Sequence, residues 1–250
     1  MMMRRKVATC VAAAGLLMTV VSGCAAVAQG GPWTGMETSA PAAPLVVAEV
    51  AGESTPRLDE LLGSVTVVDK LPNIPGYERG CGTGERCVFG TAWTDKYDGP
   101  LARNGCDTRN DVLKLQLVDV AFKPGTRDCK VIAGTLHDPY TGTDIAFSTS
   151  NPSAIQIDHV VALSRAWDAG AANWTPQQRV NFANDTDVNL LASQGKANQS
   201  KSDQGLDTWL PPNAAFHCDY AIKYLTVAAK YHLMITSADA GAARTACAQK

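Results

Sequence analysis

The hydrophobic pattern of this chain changes period several times, and each change marks an element. At residues 155–157 two isoleucines flank Gln156, the period-two signature of a strand with one buried face. The alternation stops at an adjacent carboxylate and imidazole, Asp158 and His159. Beyond them, residues 163–169 carry apolar positions at helical spacing. A second helix is predicted at "TPQQ", where Thr175 can cap, Pro176 suits the first helical position and Gln178 completes a capping box. "DVNLLAS", residues 187–193, returns to strand, and "KANQSKSDQGLDTWL" predicts a short helix or turn running into Pro211 and Pro212. A longer helix is expected over "CDYAIKYLTVAAKYHLMI", residues 218–235, with Ala221, Tyr224, Leu225 and Ala228 on one face.

Upstream, the valines of "SVTVVD" predict a strand, while the Gly and Pro residues of "NIPGYERGCGTGERC" read as loop. Asp107 stands as N-cap ahead of a helix carrying Val112, Leu113 and Leu117. "CKVIAGTLHDPYTGTDIAF" predicts two short strands around a turn at residues 138–142. The fold class expected is α+β with short strands and no internal repeat.

The first residues break from this pattern. Arg4, Arg5 and Lys6 precede an apolar run over residues 7–21, the composition of an export signal. The run is too short for a comfortable membrane span, which needs roughly 20 apolar residues. "VSGC" resembles a bacterial lipobox, which would put a lipid anchor on Cys24; Ala26-Val27-Ala28 fits a cleavage site that would free the chain. The expected organisation is a signal peptide over residues 1–23, an Ala/Pro/Gly-rich linker over 24–56 and one folded domain over 57–250. That domain works outside the cytoplasm, either secreted or anchored to the outer face of the membrane as a lipoprotein.

Of eight cysteines in the 250 residues, Cys10 lies in the signal and Cys24 at the lipobox. The other six, an even number in an oxidising compartment, suggest three disulfides. Many pairings are open; joining Cys81 to Cys87, Cys106 to Cys129 and Cys218 to Cys247 closes the shortest loops. A zinc site is disfavoured because no C-x-x-C pair occurs. Without the signal's cations the basic count falls from 22 to 19 against 24 acids, a net charge near −5. A surface that gripped polyanions all over would be basic, so any nucleic-acid contact must be local.

An Asp-His pair at a strand end has a bland reading, a helix cap beside a half-buried histidine. Asn189 and Asn198 change the weighing. The order "IDHVVAL", "VNLL", "NQSK" gives Asp-His, Asn, Asn on two strands and a helix. It resembles the ββα-metal motif of the His-Asn-His (HNH) nucleases, specifically their exported bacterial branch. "CDTRNDVL", "DPYTG", "AWDAGAANWTPQQRVNFAND", "NQSKSD" and "WLPP" resemble that branch too. The resemblance implies a ββα-metal core elaborated with extra helices and short strands, stapled by disulfides.

It also implies roles. His159 becomes the general base that deprotonates water, since an unperturbed imidazole titrates at about 6.5. Asp158 and Asn198 supply oxygen ligands to one divalent cation, Mg²⁺ or Mn²⁺ by ligand hardness. Asn198 stands where many relatives carry a second metal-binding histidine. Asn189 would hold the loop that orients the histidine; in isolation it reads as a turn residue. Lys201 could meet a phosphate or simply be solvated. Arg109 is the better phosphate clamp, because a guanidinium forks onto phosphate oxygens, with a structural pair to an acid as the competing view. Asp107 and Asp203 are read as structural, and Trp93, Trp167, Trp174 and Trp209 as core more than base-stacking.

The function expected is a monomeric exported endonuclease acting on DNA, with cleavage of RNA left open. The alternatives are an inactive envelope-binding or structural lipoprotein on the same fold, and a zinc hydrolase of the cell wall, for which no ligand pair is evident.

Overall fold

A computed structural model describes residues 54–248. The expected signal peptide, the lipidation or cleavage site at Cys24 to Ala28 and nearly all of the linker lie outside the described residues. The chain is described from α1 (Ser54–Ser64), which begins three residues ahead of the expected domain start at Arg57.

Two hydrophobic cores organise the rest, with a two-stranded ribbon between them. After α1 comes β1 (Thr66–Val68), then a long Gly-rich loop, and then α2 (Thr108–Gln116). Asp107 caps α2 by accepting from the Asn110 amide at 2.9 Å. The helix ends one residue short of Leu117, where the backbone turns extended into β2 (Val118–Phe122). β3 (Val131–Asp138) and β4 (Thr143–Ser148) form the hairpin expected around the turn, and β2 pairs antiparallel on the other edge of β3. Asp138, buried in that turn, accepts from the amides of Tyr140 and Thr141 and reaches across to the amide of Gln194. The hairpin turn is thereby tied to the far end of the ribbon.

The ribbon consists of β5 (Ile155–His159) and β6 (Leu190–Gln194), antiparallel, with Asp158 opposite Leu191 and His159 opposite Leu190. Ile155, Ile157, Leu190 and Ala192 pack into the smaller core with α2 and the three-stranded sheet. Leu191 faces the larger, helical core. Between the strands run α3 (Leu163–Ala169) and α4 (Pro176–Ala183), the latter opened by the Thr175 and Gln178 capping box. α5 (Gly195–Lys201) follows β6 without a break. A Cβ at Gly195 would fall 2.1 Å from the Ser153 carbonyl, so only glycine allows that junction to approach so closely.

α6 (His217–Lys230) is shorter than the sequence suggests. Its expected continuation leaves the helix and becomes β7 (Met234–Thr236), which pairs in parallel with β1, and α7 (Ser237–Ala248) closes the described chain. These helices pack with α1 and α3 into the larger core, around side chains such as Tyr224, Leu225 and Leu233. The three disulfides join Cys81 to Cys87, Cys106 to Cys129 and Cys218 to Cys247, the pairing that closes the shortest loops. They fit a protein of an oxidising compartment. Among the described residues no helix is long and apolar enough to cross a membrane.

Candidate active site

Where β5 meets α5 a groove opens, and Asp158, His159, Asn198 and Arg109 all line it, together with Gln156, Trp93 and Arg79. Its volume is about 500 Å³, in the range of ligand sites. The strand extends through Asp158 and His159 rather than ending before them, and this fixes their backbones in the ribbon ladder.

His159 is held on two sides. Its Nε2–H donates to the Ala183 carbonyl at 2.9 Å, which selects the tautomer that leaves Nδ1 as an acceptor. Its ring lies parallel to that of Trp93, with centroids 5.5 Å apart. Burial lowers the imidazole pKa to about 3; the Ala183 bond works against this, and the charges of Arg79 and Lys201 add to it. The ring is neutral at physiological pH. Trp93 itself has φ of +57°, a left-handed backbone that costs a bulky residue on the order of 1 kcal/mol. Bonds from Thr108 to the carbonyls of Trp93 and Thr94 hold it there.

Asp158 is buried beneath the groove floor with both carboxylate oxygens engaged. Lys201 Nζ donates to Oδ1 at 2.8 Å and Tyr140 Oη to Oδ2 at 2.5 Å. Burial raises the carboxyl pKa, and Lys201 and the Tyr140 hydrogen bond restrain the rise. Lys201 also donates to the His159 carbonyl at 2.8 Å. Expected at a phosphate or in solvent, Lys201 is instead fully buried, because it lies on the face of α5 that covers the ribbon. Neither of the two readings made from sequence describes that position.

Asn189 is also inside. Its Oδ1 accepts from the Val161 amide at 3.1 Å, its Nδ2 donates to the Phe182 carbonyl at 3.1 Å, and its own carbonyl accepts from the Val160 amide at 2.8 Å. It pins the two residues that follow His159. Asn198 is half-buried and donates through Nδ2 to Gln156 Oε1 at 2.8 Å, which turns its Oδ1 into the free end of the amide. Arg109 anchors through Nη2 to the carbonyls of Pro152 and Ile155, both at 3.1 Å, and pairs with no acid among the described residues. Nη1 and Nε remain for a ligand.

Three participants were not foreseen. Tyr140 comes from the "DPYTG" turn, legible as a turn but silent about what its tyrosine touches. Arg79 is exposed at the groove, has no ion-pair partner among the described residues, and sits in the loop stapled by Cys81 and Cys87. Trp93 packs against the smaller core, as expected, and in addition stacks on His159 at the groove; Trp167 is buried in the larger core, against which Trp174 and Trp209 pack. Asp203, read as structural, lines the groove and accepts from Ser164 Oγ at 3.2 Å.

The donor set decides which metal these residues suit. No group of three or more His, Cys, Asp or Glu converges among the described residues, so a closed site of the structural-zinc kind is not built. Asp158 and Asn198 offer a carboxylate and an amide oxygen to one groove, and each carboxylate oxygen keeps a lone pair beyond its hydrogen bond. That set fits one hard divalent cation completed by water and substrate oxygens.

Comparison with known proteins agrees with this geometry. An uncharacterized secreted protein of Arthroderma benhamiae is 37% identical over 150 residues, which cover 59% of this chain and 70% of the relative. No solved structure matches the chain. Residues 107–242, which contain α2, the ribbon, α5 and α6, match the model of the C-terminal domain of GmrSD restriction endonucleases. The chain therefore belongs to that family, and residues 107–242 form a domain of the HNH nuclease type.

Proposed function

We propose that the protein is an exported endonuclease that hydrolyses phosphodiester bonds of DNA, and RNA in addition, leaving a 5′-phosphate. The observation that carries this reading is the fixed tautomer of His159, whose Nε2–H is committed to Ala183 while the residue lines the groove shared by Asp158 and Asn198. β5, β6 and α5 then serve as the ββα-metal core. A divalent cation held by Asp158 and Asn198 would supply charge to the non-bridging and departing oxygens.

His159 takes the proton of the attacking water on Nδ1. A base with a pKa near 3 would be feeble alone. The phosphate that enters the groove brings negative charge, which favours the imidazolium against the burial that chiefly lowers this pKa and against the charge of the cation. Arg109, with Nη2 anchored on two carbonyls, presents its remaining donors to the phosphate with little rotamer freedom to lose. Asn189 orients His159 through Val160 and Val161 and touches no reacting atom.

The disulfides and the secreted relative support an extracellular place of work. A lipid on Cys24 remains part of the proposal. The test is digestion of plasmid DNA by the purified protein with Mg²⁺ or Mn²⁺, and with EDTA. Metal-dependent nicking and linearisation are expected; full activity in EDTA would exclude the single-metal reading, and no activity with any divalent cation would favour an inactive envelope protein.

A further inference from the structure

A second cavity of about 420 Å³ adjoins the groove, and His159, Trp93, Leu163 and Arg79 line both. Its remaining walls are mainly apolar, with Phe89 and Ala183 among them, and Asn184 adds an amide. Asn184 is almost fully buried; its Nδ2 donates to the Val180 carbonyl at 2.9 Å, and its Oδ1 has no hydrogen-bond partner. A buried amide oxygen left unpaired is uncommon in a folded protein and calls for an explanation. Nothing in the proton-transfer scheme uses this space.

We infer that the cavity receives one nucleobase of the substrate strand, that of a nucleotide adjoining the cleaved phosphate. The inference rests on the nuclease reading and adds to it a subsite. Contiguity is the first argument: a base is joined to its phosphate only through the sugar, and these two cavities share the side chain of the base catalyst. Chemistry is the second. An aromatic and aliphatic slot suits the faces of a heteroaromatic ring, and Phe89, Trp93 and Leu163 supply such walls. Charge is the third: Arg79 stands exposed at both cavities without an ion-pair partner among the described residues, placed for the phosphate of the same nucleotide. Every base has a face to pack, so the subsite reads the presence of a base rather than its identity.

Binding tests the subsite without requiring cleavage. The full exported chain, in EDTA, is titrated calorimetrically with the four 2′-deoxynucleoside 5′-monophosphates and with 2-deoxyribose 5-phosphate. The nucleotides should bind about tenfold or more tighter than the sugar phosphate, in line with the stacking contribution of one base. Ala92→Trp, an exposed position on the cavity wall, should fill the space and erase the difference. Equal binding of nucleotide and sugar phosphate, or a nucleotide preference untouched by Ala92→Trp, would overturn the subsite. Plasmid digestion with metal tests the nuclease reading separately, so either can fail while the other stands.

Discussion

Lys201 Nζ lies 2.8 Å from Asp158 Oδ1, and both side chains are inside the domain. On the proposed assignment the ammonium neutralises the carboxylate that would hold the cation, so a divalent ion entering the groove gains little from the charge of Asp158. Substrate phosphate then supplies much of the attraction. Metal affinity in this arrangement is coupled to substrate, and a tightly held resident ion is not expected.

Removing the ammonium should expose this coupling. Lys201→Met leaves Asp158 buried without its cation, a change that typically costs about 3–5 kcal/mol. Denaturant unfolding in EDTA should show a loss of that order, and Mg²⁺ should recover part of it, because an ion that binds only the folded state stabilises it. A variant as stable as the wild type in EDTA would show that the pair contributes nothing to the fold.

A second structural consequence concerns the start of α2, which bears Arg109. The Cys106–Cys129 disulfide closes 23 residues of sequence separation just ahead of the Asp107 cap. Replacing both cysteines with serine should destabilise the domain by about 2–4 kcal/mol. It should also raise the KM for DNA more than it lowers kcat, since Arg109 is placed to bind phosphate rather than to move protons. An unchanged KM would remove Arg109 from the substrate site. In the unreduced wild type, thiol titration of the denatured described region should find no free cysteine.

Much of this was legible in the sequence because it is written locally. Period-two and helical spacing, the capping box at Thr175 and the Asp107 cap each concern residues within a turn of one another, and they mark α3, α4 and the β3–β4 hairpin. What escaped depends on distant partners. β7 pairs with β1 across more than 160 residues, so the run at Met234 reads as more helix until the pairing is seen. Ala-rich α7 has little amphipathic contrast to announce it. Lys201 shows the same limit at the site: its spacing puts it on one face of α5 with Asn198, yet whether that face meets solvent or a buried carboxylate depends on how α5 lies on the ribbon. The alternation of Ile155 and Ile157 puts Asp158 and His159 at a strand end; that Tyr140, from a legible turn, and Trp93, from a segment without periodicity, meet them there depends on the tertiary fold.

Acid should destabilise the fold through His159. Its pKa falls from about 6.5 unfolded to about 3 folded, so between those values the unfolded chain binds a proton that the native one refuses. Stability contributed by keeping the ring neutral is complete above pH 6.5 and is lost as pH falls toward 3. Measured in EDTA, unfolding free energy should drop by about 2 kcal/mol more from pH 7 to pH 5 in the wild type than in His159→Asn. Parallel pH profiles for the two proteins would mean that the ring is not shut away from protons.

The division of labour between His159 and Asp158 is separable by metal titration. If His159 accepts the proton of water and does nothing else, His159→Ala keeps Asp158 and Asn198 in the groove, and the cation and phosphate can still bind there. Turnover should fall by roughly 10² to 10⁴, the usual contribution of a positioned acid or base, and added Mg²⁺ should not restore it. Asp158→Ala removes a ligand oxygen and the partner of both Lys201 and Tyr140. Its defect should shrink as Mg²⁺ rises, within the limit set by the ammonium left unpaired in the floor. Cleavage rate is followed against Mg²⁺ for wild type and both variants, with circular dichroism to check folding. A folded His159→Ala protein that cuts at the wild-type rate would remove the imidazole from the chemistry. The commitment of Nε2 to Ala183 would then be a packing feature with no catalytic consequence.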